Sequence, residues 1–305
     1  MGNYLELILD KLDKKSPSHC AKLRQNLSYL GEDHSALANG FLARYENYLF
    51  RQKLNLDFGI DCYLRMIGDM GQERISFARE GRYSSSSFSE VEKRVYCRPE
   101  VMTYHMHGLV LAQFLWFEQY ERLDFFLHHL KQSAGKLGSY LEIGGGHGLY
   151  VYEAMKLCPE IRQFDLIDIS KCSLKLSRGI VDSRKIHFHL MNIFDFTEEH
   201  TYSFVTMGEV LEHVEDPLAL LKKIGCLIGK DGISFVSAPI NAPMIDHIYL
   251  FNNEQEIREL IAQAGLTILD ERKVASERVS DKLADKFKVP VMYAAIVKLK
   301  DNNNG

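Results

Sequence analysis

Glu209, Glu212 and His213 stand in the run Glu-Val-Leu-Glu-His (209–213), and a second histidine, His247, follows Asp246 further along the chain. At helical spacing, two carboxylates and an imidazole share one face of a first turn, and such a set can hold a hard or borderline divalent cation. The same residues fit two other roles: His213 as a metal-free general base, or a structural helix start in which Glu212 caps backbone N–H groups. A second stretch with chemical character is Ser-Tyr-Leu-Glu-Ile-Gly-Gly-Gly-His-Gly (139–148), where Glu142 sits in a short apolar run and Gly144, Gly146 and Gly148 follow at alternate positions. Without Cβ atoms, backbone N–H groups can close on a ligand, and a helix opening near Leu149 would aim its positive end at the same point. The spacing G-x-G-x-G leans away from the G-x-G-x-x-G of a dinucleotide pyrophosphate loop. Asp168 ends the apolar run Phe164–Ile167, twenty residues past Gly148, where its carboxylate can accept both hydroxyls of a ribose.

These residues need a scaffold that delivers them to one place, and the second half of the chain reads as one. From residue 136, β-like runs (140–143, 164–169, 185–191, 203–207, 232–238, 266–269, 291–299) alternate with helical candidates (149–157, 173–181, 217–227, 253–264). That alternation predicts a mostly parallel sheet with helices on both faces, with a ligand crevice at the carboxyl ends of the strands. Both chemical stretches follow strands, and the loop carrying Asp246 and His247 follows the next one. Residues 1–135 instead show apolar residues three and four apart, as in Tyr4-Leu5-Ile8-Leu9-Leu12. The fold expected is therefore α/β, a doubly wound Rossmann-like sheet over 136–305 with an N-terminal all-helical domain, a substrate lid, over 1–135. The serine-rich stretch Gly81–Ser89 is expected to be a mobile loop.

The ordered motifs Leu-Glu-Ile-Gly-Gly-Gly-His-Gly (141–148), Leu-Ile-Asp-Ile-Ser (166–170), Met-Asn-Ile-Phe-Asp (191–195), Glu-Val-Leu-Glu-His-Val (209–214) and Phe-Val-Ser-Ala-Pro (235–239) resemble those of class I S-adenosylmethionine-dependent methyltransferases. The resemblance implies a cofactor site made of Glu142, Gly144, Gly146, Gly148, Asp168, Ile169, Asn192, Ile193 and Glu209. In it, Asp168 would hold the ribose and Asn192 would meet the adenine, at a place where family members often carry Asp. The Glu-x-x-Glu-His pattern with a later histidine resembles the ubiquinone-biosynthesis O-methyltransferase and small-RNA 2′-O-methyltransferase subgroups. Carried over residue by residue, Glu209, Glu212, His213 and His247 would bind a divalent metal such as magnesium. Methyl transfer to oxygen would then proceed with His213 and Glu209 in catalytic roles, and nitrogen methylation stays open. A lyase or cyclase that consumes S-adenosylmethionine and releases methylthioadenosine, an RNA 2′-O-methyltransferase, and a non-catalytic cofactor-binding scaffold are the alternatives.

Composition narrows the partners. With 305 residues, 46% apolar and 26% charged, the chain is of ordinary globular type. A formal net charge of −4 and the lack of a Lys/Arg cluster argue against a nucleic-acid substrate. No apolar run is long enough for a membrane span and the start lacks a secretory pattern, so the expected location is cytoplasmic. Six scattered cysteines without a C-x-x-C pair fit reduced thiols. A large helical segment points to a small-molecule or carrier-bound acceptor of specialised metabolism, and nothing in the sequence opposes a homodimer. Rings with polar tips crowd the stretch before residue 136: Tyr83, Tyr96, Tyr104, His105, His107, Trp116 and Tyr120. Tyr104 and His107 are the candidates there for acceptor-side catalysis, whereas Trp116, Phe114 and Phe117 are expected in the helix-packing core.

Overall fold

A computed structural model describes residues 2–197 and 200–300. Seven α-helices come first: α1 (Tyr4–Lys15), α2 (Pro17–Leu27), α3 (Glu32–Arg51), α4 (Leu56–Glu80), the single turn α5 (Phe88–Val91), which runs on into the π-helical turn Glu92–Tyr96, α6 (Pro99–Leu115) and α7 (Phe117–Ser133). The chain then alternates: β1 (Ser139–Ile143), α8 (Leu149–Leu157), β2 (Gln163–Asp168), α9 (Lys171–Val181), β3 (Ile186–Leu190), β4 (Tyr202–Gly208), α10 (Pro217–Leu227), β5 (Ile228–Ile240), α11 (Glu254–Gln263), β6 (Leu266–Ala275), α12 (Asp281–Lys286) and β7 (Val291–Leu299). The strands form one sheet in the order β3-β2-β1-β4-β5-β7-β6, parallel except for β7, which runs antiparallel to both its neighbours. The order reverses direction between β1 and β4. A crevice opens at their carboxyl ends, as it must where successive crossovers leave toward opposite sides.

Successive strand residues point to opposite faces, and the sequence fills both. Tyr140, Phe164, Phe204 and Phe235 face a core shared with Phe41, Tyr45, Phe114 and Phe126 of the N-terminal helices. Their neighbours Leu141, Val205 and Val236 face a second core with Leu220, Leu221 and Ile224 of α10 and Ile257 and Ile261 of α11. Burial on both sides explains why the strands read as unbroken apolar runs. It also shows what the helical segment does: α7 packs on β6, β7 and α8, while α3 and α6 pack on α9. Of the N-terminal helices, α7 is thus a layer on the sheet, and α3 and α6 dock on its flanking helix α9.

The serine-rich stretch expected to be mobile is tied down. Ser87 caps α5 through Glu90 N–H at 3.4 Å, Arg94 donates to Ser85 Oγ at 3.3 Å, and Phe88 N–H donates to Glu215 Oε1 at 2.8 Å. These bonds hold Phe88 against the crevice, whose wall it helps to form.

Candidate functional site

The crevice is a cavity of about 750 Å³ reaching from the glycine loop to the loop after β5, a size suited to a small-molecule site. In one lobe, Gly144, Gly146 and Gly148 take left-handed φ of 69°, 50° and 79°. Gly145 is required for a different reason, since a Cβ there would lie 2.4 Å from Leu166 Cγ. Asp168 is buried beside this loop, its Oδ1 accepting from Ser170 N–H at 2.7 Å and its Oδ2 from Gly146 N–H at 3.2 Å. Each oxygen keeps acceptor capacity for a hydroxyl. Burial pushes the Asp168 carboxyl up to about 6 and that of Glu142, which accepts Val151 N–H at 2.7 Å, up to about 8. Glu142, Gly144, Gly146, Asp168, Ile169, Asn192 and Ile193, the residues named from the sequence, line the cavity. Gly148 does not; it caps α8, where a Cβ would stand 2.8 Å from Val181 Cγ2. The open backbone at Gly146, where a Cβ would find its nearest neighbour, Met106 Cε, at 3.5 Å, together with the buried Asp168, fits a nucleoside with a small aliphatic tail.

The second lobe begins where β4 ends. Glu209 has φ 56°, so the chain breaks out of the strand in a left-handed residue and only then forms the 3₁₀ turn Leu211–His213. The expectation that one helical turn presents Glu209, Glu212 and His213 together therefore fails at Glu209. Its carboxylate is instead held by Ser237 Oγ at 2.9 Å and by Arg122 Nη1 at 3.0 Å. Glu212, His213 and His247 do converge, with ligand atoms all within 4.8 Å of one another. His213 Nδ1 lies 2.9 Å from the Asp246 carbonyl and His247 Nδ1 2.6 Å from the Ala242 carbonyl. A carbonyl accepts only, so both Nδ1 atoms carry a proton, and in a neutral ring the lone pair sits on Nε2. Those Nε2 atoms face Glu212 Oε1 at 3.7 and 3.8 Å, and neither Glu212 oxygen has a hydrogen-bond partner. Burial, then the nearby Glu209 and Asp246 charges, push the Glu212 carboxyl well above its ordinary range. A buried carboxylate without donors, opposite two oriented imidazoles, is a donor set that fits a divalent cation.

The helix α6 forms the wall opposite. Met102, His105, Met106, Leu109, Ala112 and Gln113 line the cavity at helical spacing. Tyr104 and His107, expected as catalytic, lie off that face. Tyr104 bonds Asp69 under the Arg65 guanidinium, and His107 Nδ1 meets Tyr45 Oη at 2.6 Å among the Tyr48 and Phe58 rings. Burial pushes His107 down to about 4, as befits a core histidine. The residue facing the cavity is His105, with Nε2 3.5 Å from Asp246 Oδ2 and Nδ1 unpartnered. Burial acts to raise the Asp246 carboxyl, but His105 and His213 outweigh it and hold the group far below the usual range. Trp116, expected in the core, lines the cavity and donates to Tyr63 Oη at 2.9 Å, while Phe114 and Phe117 are core as expected. Tyr96 also lines the cavity, whereas Tyr83 closes its edge by accepting Ala242 N–H at 3.2 Å. Sequence reasoning missed Arg122, a buried cation from α7 whose Nε donates to Tyr150 Oη at 2.8 Å.

A family profile described as methyltransferase domain matches residues 116–271, just over half of the chain. The chain belongs to this methyltransferase family. The matched span starts at the junction of α6 and α7, which agrees with the packing of α7 on the sheet. A ubiquinone biosynthesis O-methyltransferase of Xanthomonas oryzae pv. oryzae is 29% identical over 126 residues, covering 40% of this chain and 50% of that protein. The chain thus spans about half the length of these first relatives. The namesake of Neisseria meningitidis serogroup C is 24% identical over 198 residues, covering 57% of this chain and 82% of that one. Among solved structures, the N-methyltransferase NodS from Bradyrhizobium japonicum with S-adenosyl-L-homocysteine superposes at TM-score 0.47 with 18% identity, over 60% of this chain and 87% of that one. Among the described residues, no helix is long and apolar enough to cross a membrane.

Proposed function

We propose that the protein transfers a methyl group from S-adenosylmethionine to an oxygen of a small-molecule or carrier-bound acceptor, assisted by a divalent cation at Glu212, His213 and His247. The observation that carries this reading is the unpartnered Glu212 carboxylate facing two Nε2 lone pairs in the cavity that also holds the glycine loop. The name of the Xanthomonas and Neisseria relatives favours oxygen over nitrogen. When bound, S-adenosylmethionine supplies an electrophilic methyl group. A divalent cation supplies positive charge that makes an acceptor hydroxyl easier to ionise. Asp168 accepts the ribose hydroxyls, Asn192 and Ile193 border the base, and Arg122 offers a guanidinium to a carboxylate at the glycine-loop end. Phe88, Tyr96, Met102, Met106 and Trp116 wall the cavity with apolar surface that excludes water and leaves the orientation of the acceptor to the few polar groups.

The test is mass spectrometry of protein incubated with S-adenosylmethionine, magnesium or manganese, and a panel of phenols and thioester-bound hydroxy acids. S-adenosylhomocysteine formed with an O-methylated product, and suppressed by a chelator, is the expected result. Methylthioadenosine at catalytic rates would instead make the cofactor the substrate, and chelator-resistant turnover would return His213 to the role of metal-free base.

A further inference from the structure

We propose that the acceptor end of the cavity is an adaptable wall of methionines, which repacks to take apolar, ring-bearing acceptors of several outlines instead of one. The inference rests on the reading of this cavity as the place of methyl transfer, and it names the kind of acceptor admitted.

The chain has ten methionines, and six of them, Met70, Met102, Met106, Met191, Met244 and Met292, line the cavity. Met191 precedes Asn192 and belongs with the nucleoside lobe. The other five come from four separate places: Met70 from α4, Met102 and Met106 one turn apart on α6, Met244 from the loop after β5, and Met292 from β7. No single amphipathic element accounts for that convergence; the fold assembles it. Elsewhere methionine is ordinary packing, as at Met66 and Met207, which are buried in the two cores. In the cavity set, Met70 and Met244 stay partly accessible, and Met106 Cε reaches the glycine loop, 3.5 Å from where a Gly146 Cβ would stand.

An unbranched side chain with three rotatable bonds and a polarizable sulfur changes its outline at little cost and packs well on ring edges. Side chains branched at Cβ, stiff at χ1, would offer one outline only. Methionine-rich surfaces are one way in which a binding site re-packs around different partners. Phe88, Tyr96 and Trp116 add flat faces to the same cavity. The nucleoside lobe is built in the opposite way, with left-handed glycines and an Asp168 carboxylate fixed by two backbone N–H groups, which suit one ligand.

Calorimetry of the full chain saturated with S-adenosylhomocysteine reads this without methyl transfer or a cation. The probes are 1-naphthol, 2-naphthol and 4-phenylphenol, each an apolar ring system with one hydroxyl, differing in outline. Their dissociation constants should agree within about tenfold, where a rigid pocket separates close analogues by about 10–200-fold. Met102→Ile, Met244→Ile and Met292→Ile combined keep the wall apolar and nearly the same in volume but stiffen it. That triple variant should spread the three constants beyond about tenfold, with S-adenosylhomocysteine affinity unchanged. Met244→Ile alone, at a partly accessible loop position, should widen the spread in the same direction and serves if the triple variant fails to fold. A parental spread wider than tenfold, an unchanged spread in the isoleucine variants, or no binding of any probe overturns the adaptable wall. Expected probe binding without methyl transfer to any acceptor would overturn the methyl-transfer reading and leave the wall standing.

Discussion

The two lobes of the cavity differ in how their polar groups are satisfied. Around the glycine loop, the chain supplies its own donors: Asp168 accepts Gly146 and Ser170 N–H, Glu142 accepts Val151 N–H, and Asn192 accepts Phe194 N–H at 3.0 Å. Around the 3₁₀ turn, Glu212 has no donor on either oxygen, and Asp246 Oδ1 and His105 Nδ1 are likewise unpartnered. In the first lobe the acids are satisfied as folded, with His147 Nδ1 of the loop left unpartnered, and a ligand adds to it. The second carries desolvated polar atoms whose cost is removed only by what binds there.

Glu212→Gln presses hardest on this contrast. Gln matches the shape of the protonated acid that burial favours, so the thermal midpoint should hold while manganese affinity falls by about a hundredfold or more; unchanged affinity would take Glu212 out of the cation site. His213→Ala should likewise abolish turnover with S-adenosylhomocysteine affinity nearly intact, and turnover at the normal rate would make the turn structural. In the satisfied lobe, Asp168→Ala should weaken S-adenosylhomocysteine by about 1–3 kcal/mol, the loss of charge-assisted hydrogen bonds. Calorimetry giving the parental affinity would remove Asp168 from the ribose site.

Glu142→Gln tests the same lobe through pH. Burial raises the Glu142 carboxyl from 4.5 to about 8, so the folded protein keeps a proton that the unfolded chain releases. Its contribution is full below pH 4.5 and is lost as pH rises through 8. The variant cannot ionise and should gain about 2–3 kcal/mol on the parent between pH 6 and 9. Urea unfolding at the two pH values checks this, and a pH-independent difference would mean that Glu142 is already ionised. The smallest effect belongs to Tyr104→Phe, which should cost about 1 kcal/mol of stability and leave acceptor kinetics unchanged. A raised acceptor KM would restore Tyr104 to the site.

The same division explains what was legible in the sequence. The glycine loop and Asp168 work through bonds to near neighbours in sequence or to the adjoining strand, so spacing reveals them. The trio was visible as chemistry, yet its geometry depends on Glu209 turning left-handed, which no periodicity announces. His105 could have been found by extending the apolar face of α6 from Met102, the step that also excludes Tyr104 and His107. Arg122 gave no signal, because a charged residue on an amphipathic helix ordinarily faces water. Its partners Glu209 and Tyr150 come from the residue after β4 and from α8, and only the packing of α7 against the sheet brings them together.

One backbone detail of the turn has a wider consequence. The main-chain carbonyl of Glu212 accepts both Ile248 N–H at 2.9 Å and Tyr249 N–H at 3.0 Å, and both histidine rings are pinned to carbonyls of the same loop. Turn and loop are clasped twice, by atoms that no side-chain substitution removes. Of the residues bracketed by those anchors, Pro243 and Met244 border the cavity, while Ile245 is buried in the core. The spacing of His213 and His247 is thus set largely by main-chain atoms, and the side chains of Pro243 and Met244 stand on the cavity wall around it.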